Sequence, residues 1–436
     1  MQLDALEKSD PELAKLTRAE EQRQRDGLEL IASENYVSRA VLEAMGTVFT
    51  NKYSEGYPGK RYYGGQENTD PMESIAIERA KKLFGSDHAN VQPLSGAPAN
   101  VAVYFAWLKP GDTVMGMDLG HGGHLTHGAP ATTMGKLYNF IRYKMKDIET
   151  GEIDYDHMRE LALKHKPKIL LAGFSGYPRE LDYAKFAAIG NEAGAMLMAD
   201  MAHIAGLIAA GVLDNPFNHG FHVMTSTTHK TLRGPRGGII LSNGTVSNPL
   251  KAPEHTLENL PTLIDRSVFP GFQGGPHMAQ VLAKAVAFGE AAQPEFKVYA
   301  KQVLVNAQRL ADQLMAKGFR LITNGTDNHL MQVDMKSSLD IDGREAQEVL
   351  DRIHLTANCN AIPDDPLPPF RPSGVRLGTP ALTTRGMKAA DMDRIAEWIH
   401  QALTHRSDDS YITKLAAEVR DYCKQFPLPS DRQTKG

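Results

Sequence analysis

The stretch Thr225–Gly238, which reads TSTTHKTLRGPRGG, places one lysine, Lys230, between a run of hydroxyls and a basic, glycine-rich turn. Phe221–Met224 before it and Ile239–Ser242 after it are short and apolar, which predicts two buried strands. Lys230 would then lie at a strand edge, where partial burial among basic neighbours lowers the pKa of an ammonium group. Such an amine can form a Schiff base, so the stretch favours an aldehyde cofactor. A basic turn that binds phosphate or nucleic acid is the alternative.

The composition favours a protein that binds small molecules. The chain has 436 residues, enough for two or three domains around a large core. Lysine and arginine total 48 against 52 acidic residues, a net charge of −4, so no nucleic acid is expected as a partner. The cysteines Cys359 and Cys423 have neither metal-ligand nor disulfide spacing, which fits a reducing compartment. The charged start Met1–Lys8 is unlike a secretory signal, so we expect a cytoplasmic protein.

One segment, Gly194–Leu213, has about the length of a membrane span. Asp200 and His203 interrupt it, and it is rich in glycine and alanine. We therefore expect it to form a buried strand, a loop and a turn, and we expect no membrane partner.

Two apolar segments, Pro167–Ser175 and Ala195–Asp200, flank a helical pattern. This order predicts a right-handed β-α-β crossover in a parallel sheet. Each segment ends in a polar residue, and open α/β sheets bind ligands at the carboxyl ends of their strands. Asp200 and Lys230 would meet at that edge, an acid for a ring nitrogen and an amine for an aldehyde. That pair is typical of a site for a pyridine-aldehyde cofactor.

A helix start supplies the expected phosphate site. Val91–Asn100 reads VQPLSGAPAN and leads into the apolar, helix-like run Val101–Leu108. A Ser-Gly turn that opens a helix directs backbone N–H groups and the positive end of the helix dipole at one point. Further upstream, Asp70 is expected to cap a helix that ends at Gly85. Asp10 and Pro11 similarly predict a helix that ends near residue 27.

Two glycine-rich loops carry further candidates. Leu119–Gly128, LGHGGHLTHG, follows a predicted strand at 112–118 and holds three histidines. No metal is expected, because glycines separate the histidines and no cysteine completes a ligand set, and His124 would instead lie over a planar ring. Asn51–Gly65, NKYSEGYPGKRYYGG, is interpreted as a functional loop, with a tyrosine-rich surface turn as the alternative.

The pattern changes after about residue 290. A helical stripe of apolar residues ends at Gly318, predicted strands follow at 319–323 and 329–335, and a second amphipathic helix lies near 392–403. This alternation predicts a smaller α+β domain. Ser373–Pro380 places Arg376 in a short strand of small and apolar residues, where a guanidinium suits a substrate carboxylate. An internal ion pair is the alternative.

Together these motifs resemble the serine hydroxymethyltransferase family, pyridoxal-phosphate enzymes of the aspartate-aminotransferase fold type. The resemblance runs from about residue 28 to 427 and includes LIASENY at 30–36, the two glycine-rich loops, DMAH at 200–203, the lysine stretch and TDNHL at 326–330. It implies an α/β fold of type I, with a mostly parallel seven-stranded sheet and a smaller C-terminal α+β domain. The implied division is an N-terminal helical arm at 1–50, a large cofactor domain at 51–290 and a small domain at 291–436.

The resemblance also implies roles for individual residues. Lys230 would carry pyridoxal 5'-phosphate as a covalent aldimine, Asp200 would hold the pyridine nitrogen and His124 would stack on the ring. The implied catalytic residues are Lys230, Glu55, His124, Asp200, His203, Tyr63, Thr227 and His229. The implied cofactor contacts are Ser95, Gly96, Ala97, His124, Ser175, Asp200, His203, Lys230, Tyr53, Gly274 and Gly275.

The remaining implied contacts concern the two substrates. Those for the amino acid are Ser33, Tyr63 and Arg376. Those for tetrahydrofolate are Glu55, Tyr62, Leu119, Gly123, His124, Leu125, Asn360 and Phe370. The implied reaction moves a one-carbon unit from L-serine to tetrahydrofolate and leaves glycine, in a homodimer with shared active sites or in a tetramer.

Three features depart from the family pattern. Ala97 stands where a serine is common, Cys359 replaces a usual lysine, and the stretch at 246–264 is longer than the usual link. A folate-independent aldolase and a transferase with another one-carbon donor share the fold class and remain alternatives. A non-catalytic cofactor-binding protein would need a broken site, and the implied set is complete.

Overall fold

The computed structural model of the chain describes residues 3–247 and 254–431. The chain divides into a central unit, Ala40–Lys301, and a terminal unit, Met1–Arg39 with Gln302–Gly436. The later boundary falls inside the helix Pro294–Ala316. The division at residues 50 and 290 remains a prediction. Within the long link at 246–264, residues 248–253 lie outside the described residues.

A seven-stranded sheet forms the middle of the central unit. Six strands run in one direction and Gly238–Ser242 runs antiparallel to both of its neighbours. The strands in spatial order are His88–Asn90, Gly238–Ser242, Val223–Thr227, Met196–Asp200, Ile169–Gly173, Thr113–Met117 and Asn139–Tyr143. The α/β fold with a mostly parallel seven-stranded sheet is thereby confirmed.

The predicted crossover lies in the middle of this sheet. Ile169–Gly173 and Met196–Asp200 pair in parallel, and the helix Tyr183–Ala193 connects them. Both strands are buried along their whole length, which explains their continuous apolar sequence. The strand before the lysine is Val223–Thr227 and not 221–224, because its pairing with the preceding strand extends as far as Thr225 beside Asp200.

The other elements of the central unit flank this sheet or extend from it. A two-residue hairpin joins Gly56–Tyr57 to Lys60–Arg61. The longer helices are Thr69–Phe84, Gly96–Trp107, Tyr155–His165 and Met278–Ala291. The shorter helices and turns are Arg39–Met45, Val48–Asn51, Leu125–His127, Thr133–Leu137, Ala205–Ala209, Pro216–His219, Leu260–Arg266 and Ser267–Phe272.

The prediction that Asp70 caps a helix is wrong, whereas the prediction that this helix ends at Gly85 is confirmed. The helix begins at Thr69, with Asn68 at the cap position. The Asp70 carboxylate instead accepts hydrogen bonds from Arg61 Nε at 2.9 Å and from the Gly59 amide at 2.8 Å. Gly85 ends the helix with a φ of 71°, a conformation that glycine adopts without strain.

The terminal unit contains a four-stranded antiparallel sheet. Its order is Arg320–Leu321, Leu330–Asp334, Gly374–Gly378 and Asn358–Asn360, and a separate parallel pair joins Leu28–Glu29 to Leu355–Thr356. Its helices and turns are Asp4–Ser9, Pro11–Asp26, Ile322–Asn324, Met335–Leu339, Gly343–Arg352, Pro380–Arg385, Ala389–Thr404, Asp409–Cys423 and Pro429–Asp431. Among the described residues, no helix is both long and apolar enough to cross a bilayer.

The predicted apolar stripes form the core of this unit. Residues of the two stripes are buried against one another and against the sheet: Ala307, Leu310, Leu314, Met392, Ile395, Ile399 and Leu403. Val303 of the first stripe is also buried. The helix Ala389–Thr404 and the four-stranded sheet thus share one hydrophobic cluster, as the period of the pattern predicts.

A single arginine joins the ends of two helices in the terminal unit. Arg385 is 2% exposed, and its guanidinium donates to five backbone carbonyls. Three of these carbonyls, at residues 24, 25 and 27, lie at the C-terminal end of the helix Pro11–Asp26. The other two, at residues 423 and 426, lie at or just beyond the end of the helix Asp409–Cys423. Carbonyls at helix ends lack partners within the helix, so one buried cation satisfies both ends.

We expect Arg385→Met to lower the free energy of unfolding by about 3 kcal/mol, because buried carbonyls lose their donors. Urea unfolding followed by circular dichroism at fixed protein concentration measures this change. Arg420→Met is the matched control, since Arg420 is exposed on the helix Asp409–Cys423 and should cost less than about 0.5 kcal/mol. Equal stability of the two variants would contradict the role given to Arg385.

Candidate functional site

Asp200 ends its strand inside the central unit, and polar neighbours surround its carboxylate. Asn100 Nδ2 donates to Oδ2 at 2.8 Å, His127 Nε2 lies 3.0 Å from the same oxygen, and the Ala202 amide donates to Oδ1 at 3.1 Å. Asn100 comes from the helix Gly96–Trp107 and also accepts from Thr225 Oγ1 at 2.5 Å. One carboxylate therefore connects the helix, the histidine loop and two strands.

These contacts determine the charge of Asp200. Burial alone would raise the pKa of its carboxyl group. The hydrogen bond and the charge of His127, the charge of His124 and the hydrogen bond from Asn100 outweigh burial and bring the pKa below its usual value. Asp200 is therefore a buried, ionised carboxylate at neutral pH.

The histidine loop packs against this carboxylate. The His124 amide donates to His127 Nδ1 at 3.1 Å, and His124 Nδ1 lies 2.8 Å from Thr126 Oγ1. His124 is partly exposed, whereas His127 is buried. Side-chain ligand atoms of His124, His127 and Asp200 lie within 4.8 Å of one another, so these three residues could hold a metal ion. That no metal binds remains a prediction.

Lys230 lies in a closed turn beyond the strand Val223–Thr227 and is 8% exposed. Hydrogen bonds close the turn from both sides: the Thr228 amide to Gly237 O, the Gly234 amide to Thr228 O and the Arg233 amide to Lys230 O. Burial lowers the pKa of His229 to about 3, and the nearby positive charges of Arg236 and Lys230 act in the same direction. His229 is thus neutral at physiological pH.

The segment after Asp200 runs beside this turn. Thr227 Oγ1 donates to Ala202 O at 3.3 Å, and Thr231 Oγ1 donates to His203 O at 2.8 Å. A Cβ at Gly206 would lie 2.2 Å from Thr231 O, so only glycine allows this approach. The structure therefore brings Asp200, His203 and Lys230 together at the carboxyl edge of the sheet.

Ser175 completes this edge. Its amide donates to Gly122 O at 2.6 Å, which ties the histidine loop to the end of the strand Ile169–Gly173. Its hydroxyl lies 3.5 Å from His203 Nε2. Ser175 and His203 therefore meet, as expected for two contacts of one ligand.

Ser95, Gly96 and Ala97 form the start of the helix Gly96–Trp107 and are partly exposed. Ser95 occupies the cap position, yet its side chain makes no capping bond to the helix. We call Ser95–Ala97 the phosphate cradle. A Cβ at Gly96 would lie 2.7 Å from Thr227 Cγ2, so glycine at this position allows the cradle to approach the strand before Lys230 closely. The free N–H groups of a helix start, an ionised acid and a lysine are the donors and acceptors that pyridoxal phosphate needs, so the residues fit this cofactor.

The tyrosine loop is held by one buried arginine. Arg61 donates to the carbonyls of Ser54 and Gly56, both at 2.8 Å, and forms ion pairs with Asp70 and Glu73. Its side chain is 3% exposed. These bonds fix the backbone on both sides of Glu55, so the loop has a defined shape.

The side chains of this loop face outward in a cluster. Tyr53 is 55%, Tyr62 73% and Tyr63 50% exposed. The rings of Tyr53 and Tyr63 lie edge to face with centroids 5.1 Å apart, and Tyr53 OH lies 3.3 Å from Glu55 Oε1. Gly274 and Gly275 pack on this pair, since a Cβ on Gly275 would lie 3.0 Å from the Tyr53 ring. The structure thus brings four predicted residues, Tyr53, Glu55, Gly274 and Gly275, together.

The terminal unit holds Arg376 and Ser33 in contact. Arg376 is 9% exposed on the strand Gly374–Gly378, and its Nη2 lies 3.5 Å from Ser33 Oγ. The Gly378 amide donates to Leu30 O at 2.8 Å, which aligns the segment before Ser33 with the strand. Burial lowers the pKa of Arg376 to about 10. An anionic ligand would offset the cost of burying this charge.

The predicted folate residues belong to both units of the chain. Leu119 and Leu125 border the histidine loop of the central unit and are 46% and 52% exposed, and Gly123 lies between them in sequence with its backbone against Met117 O. Asn360 lies on the strand Asn358–Asn360 of the terminal unit, where Phe370 is 76% exposed. Exposed apolar side chains are compatible with a planar ligand.

The sequence analysis missed Asn100 and His127. Asn100 is a polar residue among the small and apolar residues of its helix, one turn after Gly96. This position could have indicated that Asn100 lies near the cofactor site. The sequence predicts His127 only as one of the three histidines of its loop. Its bond to Asp200 depends on the fold of the loop, which the spacing of the histidines does not reveal.

Comparison with known proteins identifies the family. The family model described as serine hydroxymethyltransferase matches residues 6–399. A serine hydroxymethyltransferase of Xanthomonas campestris pv. campestris (strain B100) is 53% identical over 423 residues, 97% of this chain and 98% of the relative. One of Xanthomonas axonopodis pv. citri (strain 306) is 52% identical over the same number of residues and the same shares of both chains. The chain therefore belongs to the serine hydroxymethyltransferase family, whose members use pyridoxal phosphate and tetrahydrofolate.

Proposed function

We propose how the residues of this chain carry out the reaction of its family. That reaction is the reversible transfer of the hydroxymethyl carbon of L-serine to tetrahydrofolate, which gives glycine, 5,10-methylenetetrahydrofolate and water. The observation that carries the proposal is the buried, ionised Asp200 at the sheet edge beside the Lys230 turn. An acid and a lysine at one edge are what a pyridine-aldehyde cofactor requires.

When bound, pyridoxal phosphate accepts the electrons left on the substrate α-carbon after a bond to that carbon breaks. Asp200 would hold a proton on the pyridine nitrogen, because its carboxylate is ionised and Asn100 and His127 fix its orientation. The partly exposed imidazole of His124 would stack on the cofactor ring. The amine of Lys230 is the group that would hold the cofactor through its aldehyde.

The remaining central residues position the cofactor and the substrates. Ser95, Gly96 and Ala97 bind the phosphate with the N–H groups of their helix start. Ser175 and His203 would hold the phenolic oxygen of the cofactor, and Thr227 packs between Gly96 and Ala202. Neutral His229 is limited to hydrogen bonding, since its low pKa removes its charge.

Arg376 and Ser33 bind the carboxylate of serine, and the buried guanidinium gains an anionic partner on binding. Glu55 moves a proton between the hydroxymethyl oxygen and the folate, and Tyr63 packs on Tyr53, which contacts Glu55. Tyr62, Leu119, Gly123, Leu125, Asn360 and Phe370 contact tetrahydrofolate.

Two subunits share each active site in this proposal. Tyr53, Glu55, Gly274 and Gly275 form one exposed group, and exposed aromatic side chains in a cluster are typical of an interface. We propose that this group serves the Lys230 cluster of a second copy. A cytoplasmic location is supported by the free thiols of Cys359 and Cys423.

We expect sodium borohydride to fix the cofactor on Lys230, because Lys230 is buried in the turn whose neighbouring residues contact the segment after Asp200. Peptide mapping of the reduced protein identifies the labelled residue. Lys230→Ala should bind pyridoxal phosphate without a borohydride-stable label. A label on a different lysine in the native protein would contradict the assignment.

Arg376→Ala should weaken glycine and serine binding by about 2–5 kcal/mol, because the substrate carboxylate loses a buried, charged partner. Spectral titration of the holoenzyme with glycine measures the dissociation constant. Arg376→Lys should retain part of the affinity, and Arg344→Ala, an exposed arginine of the same unit, should retain all of it. An unchanged glycine affinity in Arg376→Ala would mean that Arg376 is structural.

Mixing Glu55→Ala and Lys230→Ala homodimers should restore part of the activity. A hybrid dimer has one site with both native residues if the two come from different subunits. Serine cleavage with tetrahydrofolate is the measurement, and each variant incubated alone is the control. Absence of recovery, when native mass spectrometry shows that subunits have exchanged, would place Glu55 and Lys230 of one site in one chain.

A further inference from the structure

Lys284 is a buried cation to which the proposed mechanism gives no role. It lies on the helix Met278–Ala291, is 2% exposed, and donates to the carbonyls of Val91 at 2.6 Å, Pro93 at 3.0 Å and Gly238 at 2.9 Å. Burial lowers the pKa of its ammonium group and the charge of Glu73 opposes this effect. The three carbonyls offer one acceptor for each N–H of an ammonium group, so this geometry holds the charged form. Within the described residues, it forms no ion pair shorter than 4.0 Å.

The three carbonyls belong to the approach to the candidate phosphate cradle. Val91 and Pro93 lie between the strand His88–Asn90 and the start of the helix Gly96–Trp107. The Gly238 amide also donates to Pro93 O at 2.9 Å, and a Cβ on Gly238 would lie 2.3 Å from Ser95 O. Lys284 therefore joins the approach segment to the neighbouring strand directly behind Ser95.

A second side chain holds the opposite edge of the same segment. Gln273 Nε2 donates to Gln92 O at 3.1 Å, and Gln273 Oε1 accepts from the Leu94 amide at 3.2 Å. Carbonyls at 91 and 93 thus face Lys284, whereas the groups at 92 and 94 face Gln273. Gln273 and Lys284 both form hydrogen bonds with backbone groups of residues 91–94, but only Lys284 carries a charge.

That charge has two physical effects. Three carbonyl oxygens that converge on one point repel one another unless a cation lies between them. A buried positive charge is also weakly screened, so it acts on a phosphate dianion that binds one layer away. A neutral side chain of the same length would fill the space and supply neither effect.

We propose that Lys284 is a positioning residue for the phosphate of the cofactor, through the approach segment and the cradle Ser95–Ala97. This inference rests on the proposed function, in which that cradle binds the phosphate. Lys284 acts on the phosphate end and leaves the ring and the reacting bonds to other residues.

The experiment compares two ligands of the apoenzyme, pyridoxal phosphate and pyridoxal, which lacks the phosphate. In Lys284→Met the affinity for pyridoxal phosphate should fall about tenfold, as expected for lost interactions of a charged group. The affinity for pyridoxal should stay within about twofold. Inorganic phosphate should also compete about tenfold less well in a pyridoxal phosphate titration of the variant.

Three further variants make the result specific. Lys284→Gln is neutral but keeps an amide donor toward the carbonyls, and it should lose the preference for the phosphorylated ligand as well. Lys284→Arg keeps the charge and should keep most of that preference. Lys164→Met removes an exposed lysine from the helix Tyr155–His165 and should change neither affinity.

Equal weakening of both ligands, or of neither, in the two neutral variants would overturn the inference. Failure of both neutral variants to fold would overturn it too, because Lys284 would then support the whole unit and not the cradle. Ala97→Asp tests the underlying proposal separately, since a carboxylate in the cradle should repel phosphate. If Ala97→Asp leaves pyridoxal phosphate binding unchanged, the cradle is wrongly placed. If it abolishes binding while Lys284→Met does not alter ligand preference, only the role of Lys284 fails.

Discussion

A buried carboxylate that stays ionised is the constraint on which the central unit depends. Removing Asp200 from water would by itself favour the neutral acid, and the contacts with His127 and Asn100 reverse that preference. Each contact comes from a different element, so the histidine loop, the helix Gly96–Trp107 and the strand Met196–Asp200 must all be in place. The low pKa of Asp200 thus depends on the correct packing of the elements at this edge of the sheet.

Patterns with a fixed period could be predicted from the sequence. The parallel crossover followed from continuous apolar runs, and the apolar stripes of the terminal unit followed from helical spacing. Polar edges could be anticipated because strand ends gather on one side of a parallel sheet. Local rules failed where a long-range partner competed, as when Arg61 and the Gly59 amide engaged Asp70, which sequence alone places at a helix cap.

The residues that sequence could not assign act through other residues. Asn100 and Lys284 are polar residues with small and apolar neighbours on either side in their helices, a pattern that indicates burial but does not identify the partner. Their partners are Asp200, far along the chain, and backbone carbonyls, which carry no sequence signature. Sequence motifs therefore identify candidate ligand-binding residues more readily than they identify the residues that position them.

The five-carbonyl contact of Arg385 has a consequence for the two ends of the chain. Because one guanidinium holds carbonyls near residues 24–27 and near 423–426, fraying of either helix end removes ligands from a cation that the other end also uses. Local opening, which is commonly confined to one terminus, becomes a joint event here. A protease that trims the C-terminal segment would therefore act at a rate set partly by the order of the N-terminal helix, and a fusion tag at one terminus would disturb both.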